Sequence, residues 1–280
     1  MPNIGFHCSL GPGFVKLSET LTQTGIDVFQ VFTKNQRQWK EKLFDAEEAS
    51  SFRSLMQRHQ VKKVLSHCSY LINLGSCDTA ILNNSRVGLV GELIRCEELG
   101  IQYVVLHPGA CKGSSEKEAI AQIGAQIKDI LLQSGTKQTE ILLENTAGQG
   151  SVIGYKMEHL AEIISLSGSE RVGVCIDTCH AFVAGYDIRT QTGLEDFIKE
   201  IEGTVGLRQL KAFHLNDSKG ALGSKLDRHE HIGQGKLGTL CFEYLIKAFP
   251  DLPKVLETNH DENLHLADLK LLRAFDRVNG

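Results

Sequence analysis

The sequence has no surplus of positive charge: 30 lysines and arginines stand against 34 aspartates and glutamates, a formal net charge of −4. That excludes a broad basic footprint, so a nucleic-acid partner would have to be held by local basic patches or by bound cations. Long apolar runs are also missing. None approaches the ~20 residues a helix needs to span a bilayer. The stretch Met1-Pro2-Asn3-Ile4-Gly5 lacks the charged-then-apolar pattern of a secretory leader, and the expectation is a soluble cytoplasmic protein with no membrane partner. The eight cysteines include no CxxC pair, which argues for reduced thiols packed as small core residues over a disulfide framework. There is no linker rich in Pro, Gly or Ser and no low-complexity tract, so residues 1–280 are expected to form one domain.

What the chain does contain is alternation. Apolar runs of strand length recur at 4–8, 28–32, 61–65, 103–106, 141–143, 172–176, 210–213 and 254–256. Several lack clean polar alternation, as expected of parallel strands covered on both faces. Segments with helical periodicity lie between them. The clearest is 78–99, where Ile81, Leu82, Val87, Leu89, Val90, Leu93, Ile94 and Leu99 form a broad apolar side ahead of Gly100. Weaker helical patterns cover 116–132, 156–165, 194–205, 240–248 and 262–275. About eight alternations predict an α/β fold of the (β/α)8 TIM-barrel type, with the site at the carboxyl-terminal face of the strands.

The residues ending those runs are His7, Thr33 with Asn35 just after, His67, His107, Glu144, Asp177, His214 and Glu257. In such a barrel they converge on one mouth. Gathering so many ionisable groups there without cations would cost several kcal/mol each, which points to a site for more than one metal ion. Asp177 and His180 leave one strand together; a solvated aspartate ending a strand and a histidine opening a helix would read the same way. The polar stretch 224–235 carries Asp227 and His229 two apart, so both side chains face one way in an extended segment. They can join His180 around a further cation, and a Gly-rich surface excursion fits the spacing equally well.

Several longer segments then carry a resemblance. Phe32-Thr33-Lys34-Asn35-Gln36-Arg37-Gln38-Trp39, His67 with Ser69-Tyr70-Leu71-Ile72-Asn73-Leu74, His107-Pro108-Gly109 and Glu144-Asn145-Thr146-Ala147-Gly148-Gln149-Gly150 are four of them. The stretch 177–187, His214-Leu215-Asn216-Asp217 and Asp227-Arg228-His229 complete the set. Together they resemble endonuclease IV, the zinc-dependent apurinic/apyrimidinic endonuclease family of DNA repair. The resemblance implies three zinc ions: one on His67, His107 and Glu144, a second on Glu144, Asp177, His214 and Glu257, and a third on His180, Asp227 and His229. Zinc or manganese could fill the third position. It implies a metal-activated hydroxide attacking the phosphodiester 5′ to an abasic site in duplex DNA, with Glu144 shared between two ions, and removal of blocking groups from 3′ ends.

By the same resemblance Arg37, Tyr70 and Leu71 enter DNA at the lesion, with Asn35 on the Arg37 loop also expected to bind DNA. Lys219, Lys225, Arg228 and Lys236 cluster around the stretch carrying Asp227 and His229 and are expected to contact phosphates, and His7, near the mouth, to touch phosphate or support a ligand. A monomer is expected. Two departures are visible. The loop Cys8-Ser9-Leu10-Gly11-Pro12-Gly13 differs from the family's usual small residues, and Cys68 follows His67, where a thiol beside zinc would be open to oxidation unless packed away. A divalent-metal sugar isomerase or epimerase of the same barrel type is the alternative enzyme, and a non-catalytic abasic-site binder the alternative of another class. The first leaves the His180, Asp227 and His229 set without a purpose; the second would not need activated water.

Overall fold

In the computed structural model, residues 3–39, 43–258 and 262–277 are described. The chain opens with β1 (Ile4–Phe6), α1 (Phe14–Thr24), β2 (Val28–Val31), α2 (Ala46–Arg58), β3 (Lys63–His67), α3 (Thr79–Leu99), β4 (Tyr103–Leu106) and a short β5 (Gly109–Ala110). It continues through α4 (Glu116–Ser134), β6 (Glu140–Glu144), β7 (Val152–Ile153), α5 (Met157–Ser167), β8 (Val172–Asp177), α6 (Thr178–Ala184) and α7 (Gln191–Thr204). The last elements are β9 (Leu210–His214), β10 (Asp217–Ser218), β11 (His229–Glu230), α8 (Leu240–Ala248), β12 (Lys254–Leu256) and α9 (Glu262–Arg277).

Eight strands form one parallel sheet in the order β1-β12-β9-β8-β6-β4-β3-β2. The circle closes where His7 bridges Gln30 in parallel register and Cys8 N–H donates to Gln30 O at 2.7 Å. Gly5 makes that seam passable: a Cβ there would stand 1.7 Å from the Val28 carbonyl oxygen. Inside the barrel Val28, Leu65, Val105, Leu142, Cys175, Ala212 and Val255 pack together. A larger core fills the shell between strands and helices. Inner and outer layers are thus filled separately, as closure of eight strands requires.

Local chemistry sets several helix ends. Asp45 with Glu48 and Ser115 with Glu118 form capping boxes at the starts of α2 and α4, and Asp78 accepts from Ala80 and Ile81 N–H at the start of α3. Three differences from the sequence expectation stand out. The third strand runs later than 61–65, because Val61 N–H still closes the α2 terminus on Met56 O and the ladder extends through polar Ser66 to His67. In α3, Ile81 and Val87 are exposed, whereas Glu92 and Arg95 are buried. Helices α1, α2 and α6 lacked an apolar stripe clear enough to be anticipated.

Candidate metal centre

Each barrel strand delivers its last side chains to the mouth. His67, Glu144, Asp177 and His214 are the terminal residues of β3, β6, β8 and β9; His107 and Glu257 come one residue after β4 and β12. Asp177 does cap the helix that follows, accepting from His180 N–H at 2.7 Å through Oδ1. His180 is therefore helical, in the first turn of α6, and points back over the barrel. Asp227 and His229 reach the site from the excursion between β10 and β11, where Ser218 and Asp217 pair with His229 and Glu230.

Among the described residues the side chains assemble into four groups whose ligand atoms lie within 4.8 Å of one another: His67, His107, Glu144; Glu144, Asp177, His214, Glu257; His180, Asp227, His229; and Asp177, Cys179, His229. Glu144 is fully buried between the first two. Its Oε2 is 3.0 Å from both His67 Nε2 and His107 Nε2. Its Oε1 is 2.9 Å from His214 Nδ1 and 3.4 Å from His180 Nδ1. Glu257 Oε2 is 3.0 Å from the same His214 nitrogen. In the third group His180 Nε2 lies 3.2 Å and His229 Nε2 3.5 Å from Asp227 Oδ1.

The donor set fits divalent cations on two observations. His67, His180 and His229 each turn Nδ1 to a backbone carbonyl, of Cys68, Asn145 and Glu257, at 2.8, 2.9 and 3.3 Å. A carbonyl can only accept, so the ring proton belongs on Nδ1 and the Nε2 lone pair faces the cluster, the arrangement of metal-bound imidazole. His229 Nε2 is also buried with no hydrogen-bond partner, 3.7 Å from Asp177 Oδ2 and 3.5 Å from Asp227 Oδ1. Those gaps are too long for hydrogen bonds and near the ~3.3 Å separation of ligands arranged tetrahedrally at ~2.0–2.1 Å around zinc.

Electrostatics point the same way. Burial opposes ionisation of Glu144, yet the charges on His214 and His107 and the imidazole hydrogen bonds hold its carboxyl well below the usual range. Burial opposes charge on His180, but Asp177, Asp227 and Glu144 push it well above the ordinary value. His214 is raised likewise, against burial, by Cys175, Glu257 and Glu144. Against burial, hydrogen bonding to His180 and the surrounding imidazole charges hold Asp227 at about 2. The carboxylates draw positive charge into the cluster, which protonated histidines or bound cations can supply.

Three neighbours have roles the sequence left unassigned: Gln30 was not singled out, and Asn145 and Asn216 stood only within longer quoted segments. Gln30, fully buried, accepts from His214 Nε2 at 2.9 Å through Oε1 and donates to Glu257 Oε1 at 2.5 Å. It also donates to His7 Nδ1 at 3.3 Å, which makes His7 a neighbour of the ligands. Asn216 donates to Asp177 Oδ2 at 2.6 Å and accepts from Glu257 N–H at 2.8 Å; Asn145 binds both the N–H and the C=O of Asp177. The available signal was a lone polar residue within the apolar run 28–32. Cys68 is buried, and burial with the nearby Glu92 charge keeps its thiol protonated, raised well above the ordinary value. Cys179 does approach Asp177 and His229, but its Sγ turns to the Arg228 carbonyl at 3.8 Å, and burial and the Asp177 charge push its thiol up to about 12.

The residues expected to face DNA lie around this mouth. Tyr70 is 65% exposed, its ring 5.6 Å from that of His67 and 6.2 Å from that of His107. Leu71 is half-buried beside it. Arg37 and Asn35 are exposed on the loop after β2, where Asn35 Oδ1 accepts from Arg37 N–H at 2.9 Å and Gln36 O accepts from Ser69 Oγ at 2.6 Å. Lys225 and Arg228 are exposed on the excursion carrying Asp227; Lys225 holds a left-handed φ of 56° with Nζ 5.7 Å from the Tyr155 ring centre. Lys219 is occupied by Glu230 at 3.6 Å, and Lys236 is exposed.

Residues 19–275 match the xylose isomerase-like TIM barrel family. A protein named probable endonuclease 4 from Chloroflexus aurantiacus is 43% identical over 279 residues, covering 98% of each chain. The chain belongs to the endonuclease IV family. It is a hydrolase of the phosphodiesterase type. The solved endonuclease IV of Thermus thermophilus superposes with a TM-score of 0.87 at 31% identity, over 99% of both chains. A D-tagatose 3-epimerase-like protein shares the fold at a TM-score of 0.75 and 19% identity. Among the described residues no helix is long and apolar enough to cross a membrane.

Proposed function

We propose that this chain incises duplex DNA on the 5′ side of abasic sites, leaving a 3′-hydroxyl and a 5′-deoxyribose phosphate, and that it clears blocked 3′ ends with the same centre. The observation carrying this reading is the division of Glu144, with one carboxylate oxygen toward His67 and His107 and the other toward His214. A carboxylate so divided suits two cations side by side, and His180, Asp227 and His229 suit a third. Zinc held there would act as a Lewis acid on the phosphate and lower the pKa of its water to about 7, so no protein nucleophile is required. The third position would take zinc or manganese.

The protein's own part is positioning. Glu144, Asp177 and Glu257 fix the spacing of the first two positions, and Gln30 and Asn216 keep Glu257 and Asp177 from rotating. Tyr70 and Leu71 stand at the lip, where insertion beside a missing base unstacks the duplex at a cost of a few kcal/mol that is smallest at the lesion. Arg37 and Asn35 on one loop and Lys225 and Arg228 on another supply the local positive and polar contacts that the net acidity of the chain withholds elsewhere. One monomer carries every group named. A sugar epimerase would leave the His180, Asp227 and His229 group and the Tyr70 lip idle.

The test is incision of a duplex with one abasic site, without added magnesium. The reading expects nicking that declines slowly under chelation. A retarded complex without incision, with zinc replete, would overturn it.

A further inference from the structure

A buried ion pair lies outside the metal centre. Glu92 and Arg95, 2% and 0% exposed on α3, meet with Arg95 Nη2 2.5 Å from Glu92 Oε2. Glu92 Oε1 also accepts from Thr33 Oγ1 at 2.7 Å and from Ser66 Oγ at 2.5 Å, and Arg95 Nε donates to Thr33 Oγ1 at 2.9 Å. An isolated pair of this kind stabilises a fold little, because desolvation offsets the attraction. Its partners suggest what it does instead.

Ser66 immediately precedes His67 in β3, and Thr33 immediately precedes the loop bearing Asn35 and Arg37. Successive strand residues point to opposite faces. A side chain held on the outer face therefore fixes the pleat and hence the direction in which the next residue projects inward. Ser66 is gripped from the helix side while His67 points into the mouth beside Glu144. Thr33 is gripped by the same carboxylate, at the root of a loop that Ser69 Oγ ties to the far side of His67 through Gln36 O.

We infer that Glu92 is a positioning residue that locks together, through Ser66 and Thr33, the aim of the first metal ligand His67 and the stance of the Asn35–Arg37 loop. Arg95 holds the other carboxylate oxygen and so orients the group, leaving one oxygen to serve both arms. The inference rests on the proposed function, and its two arms can be read separately.

The experiment uses the full zinc-loaded chain and three variants, reading zinc release to a chromophoric chelator and affinity for a duplex bearing an uncleavable abasic analogue. Ser66→Ala is expected to speed release of one zinc about tenfold, the lower end for losing support of a metal-bound histidine, with duplex affinity unchanged. Thr33→Val is expected to weaken duplex binding about tenfold with zinc release unchanged, and Glu92→Gln to show both effects. A folded Glu92→Gln with wild-type release and wild-type affinity would overturn the inference. So would parallel small losses in both readouts for both single-arm variants, the signature of plain destabilisation; that pair decides the matter even where Glu92→Gln does not fold. Failure of the wild-type protein to bind the duplex would instead count against the function it rests on, since zinc release needs no DNA.

Discussion

Glu144→Gln removes one charge and converts one carboxylate oxygen to an amide without changing volume. Because Oε1 and Oε2 serve different imidazoles at 2.9 to 3.0 Å, the new NH2 must face one half of the centre whichever way the amide turns. One half then has a donor where an acceptor is required, and both lose the shared negative charge. Removing one partner of a fully buried charged pair costs about 3–5 kcal/mol. Taking ~4 kcal/mol as lost from transition-state stabilisation, at ~1.4 kcal/mol per tenfold, gives a fall in turnover of about a thousandfold. Denaturing gels of a fluorescent duplex with one abasic site measure this, with zinc per chain determined on the same sample. Turnover near wild type with unchanged zinc content would refute the shared-carboxylate argument.

Other perturbations probe separate parts of the centre. Gln30→Ala strands His214 Nε2 and Glu257 Oε1, so zinc affinity should fall about ten- to hundredfold, measured by competition with a chelator of known affinity; an unchanged affinity would contradict the assignment. Tyr70→Ala removes the largest exposed ring at the lip and should weaken abasic-duplex binding by ~1–3 kcal/mol while leaving metal content intact, read by fluorescence anisotropy. In the zinc-free protein, His180 and His214 lie well above the ordinary 6.5, so the stability they contribute is complete below that value and is lost as pH rises through their raised values. Asp227, held at about 2, contributes stability above its ordinary 3.8 that is lost as pH falls toward 2. Thermal melts should therefore show stripped protein more stable at about pH 6 than at about pH 9, with the difference narrowed by zinc; the reverse order would contradict the sign.

Much of this site was legible in the sequence because a barrel converts sequence position into location. His67, Glu144, Asp177 and His214 end apolar runs, and strand ends share one mouth. What was not legible depends on contacts between distant segments. Nothing local to Gln30 reveals that His214 and Glu257 lie against it, and nothing near Glu92 announces Thr33 and Ser66. Asp177 serves both as the end of β8 and as the cap of α6, so the sequence left open whether His180 was a ligand leaving a strand or a residue opening a helix. The apolar stripe assigned to α3 misjudged Ile81 and Val87 for a related reason: the barrel wall demands the face carrying Glu92 and Arg95, and their charge is neutralised only in the folded chain.

The central claim is that these side chains are three cation positions, two of them sharing Glu144, and not a hydrogen-bonded polar cluster. Metal counted per chain by inductively coupled plasma mass spectrometry, on protein purified without added metal or chelator, tests it most directly. The account predicts close to three zinc ions, or two zinc and one manganese. A single magnesium or manganese ion per chain would contradict it and favour the epimerase-type chemistry of the same barrel.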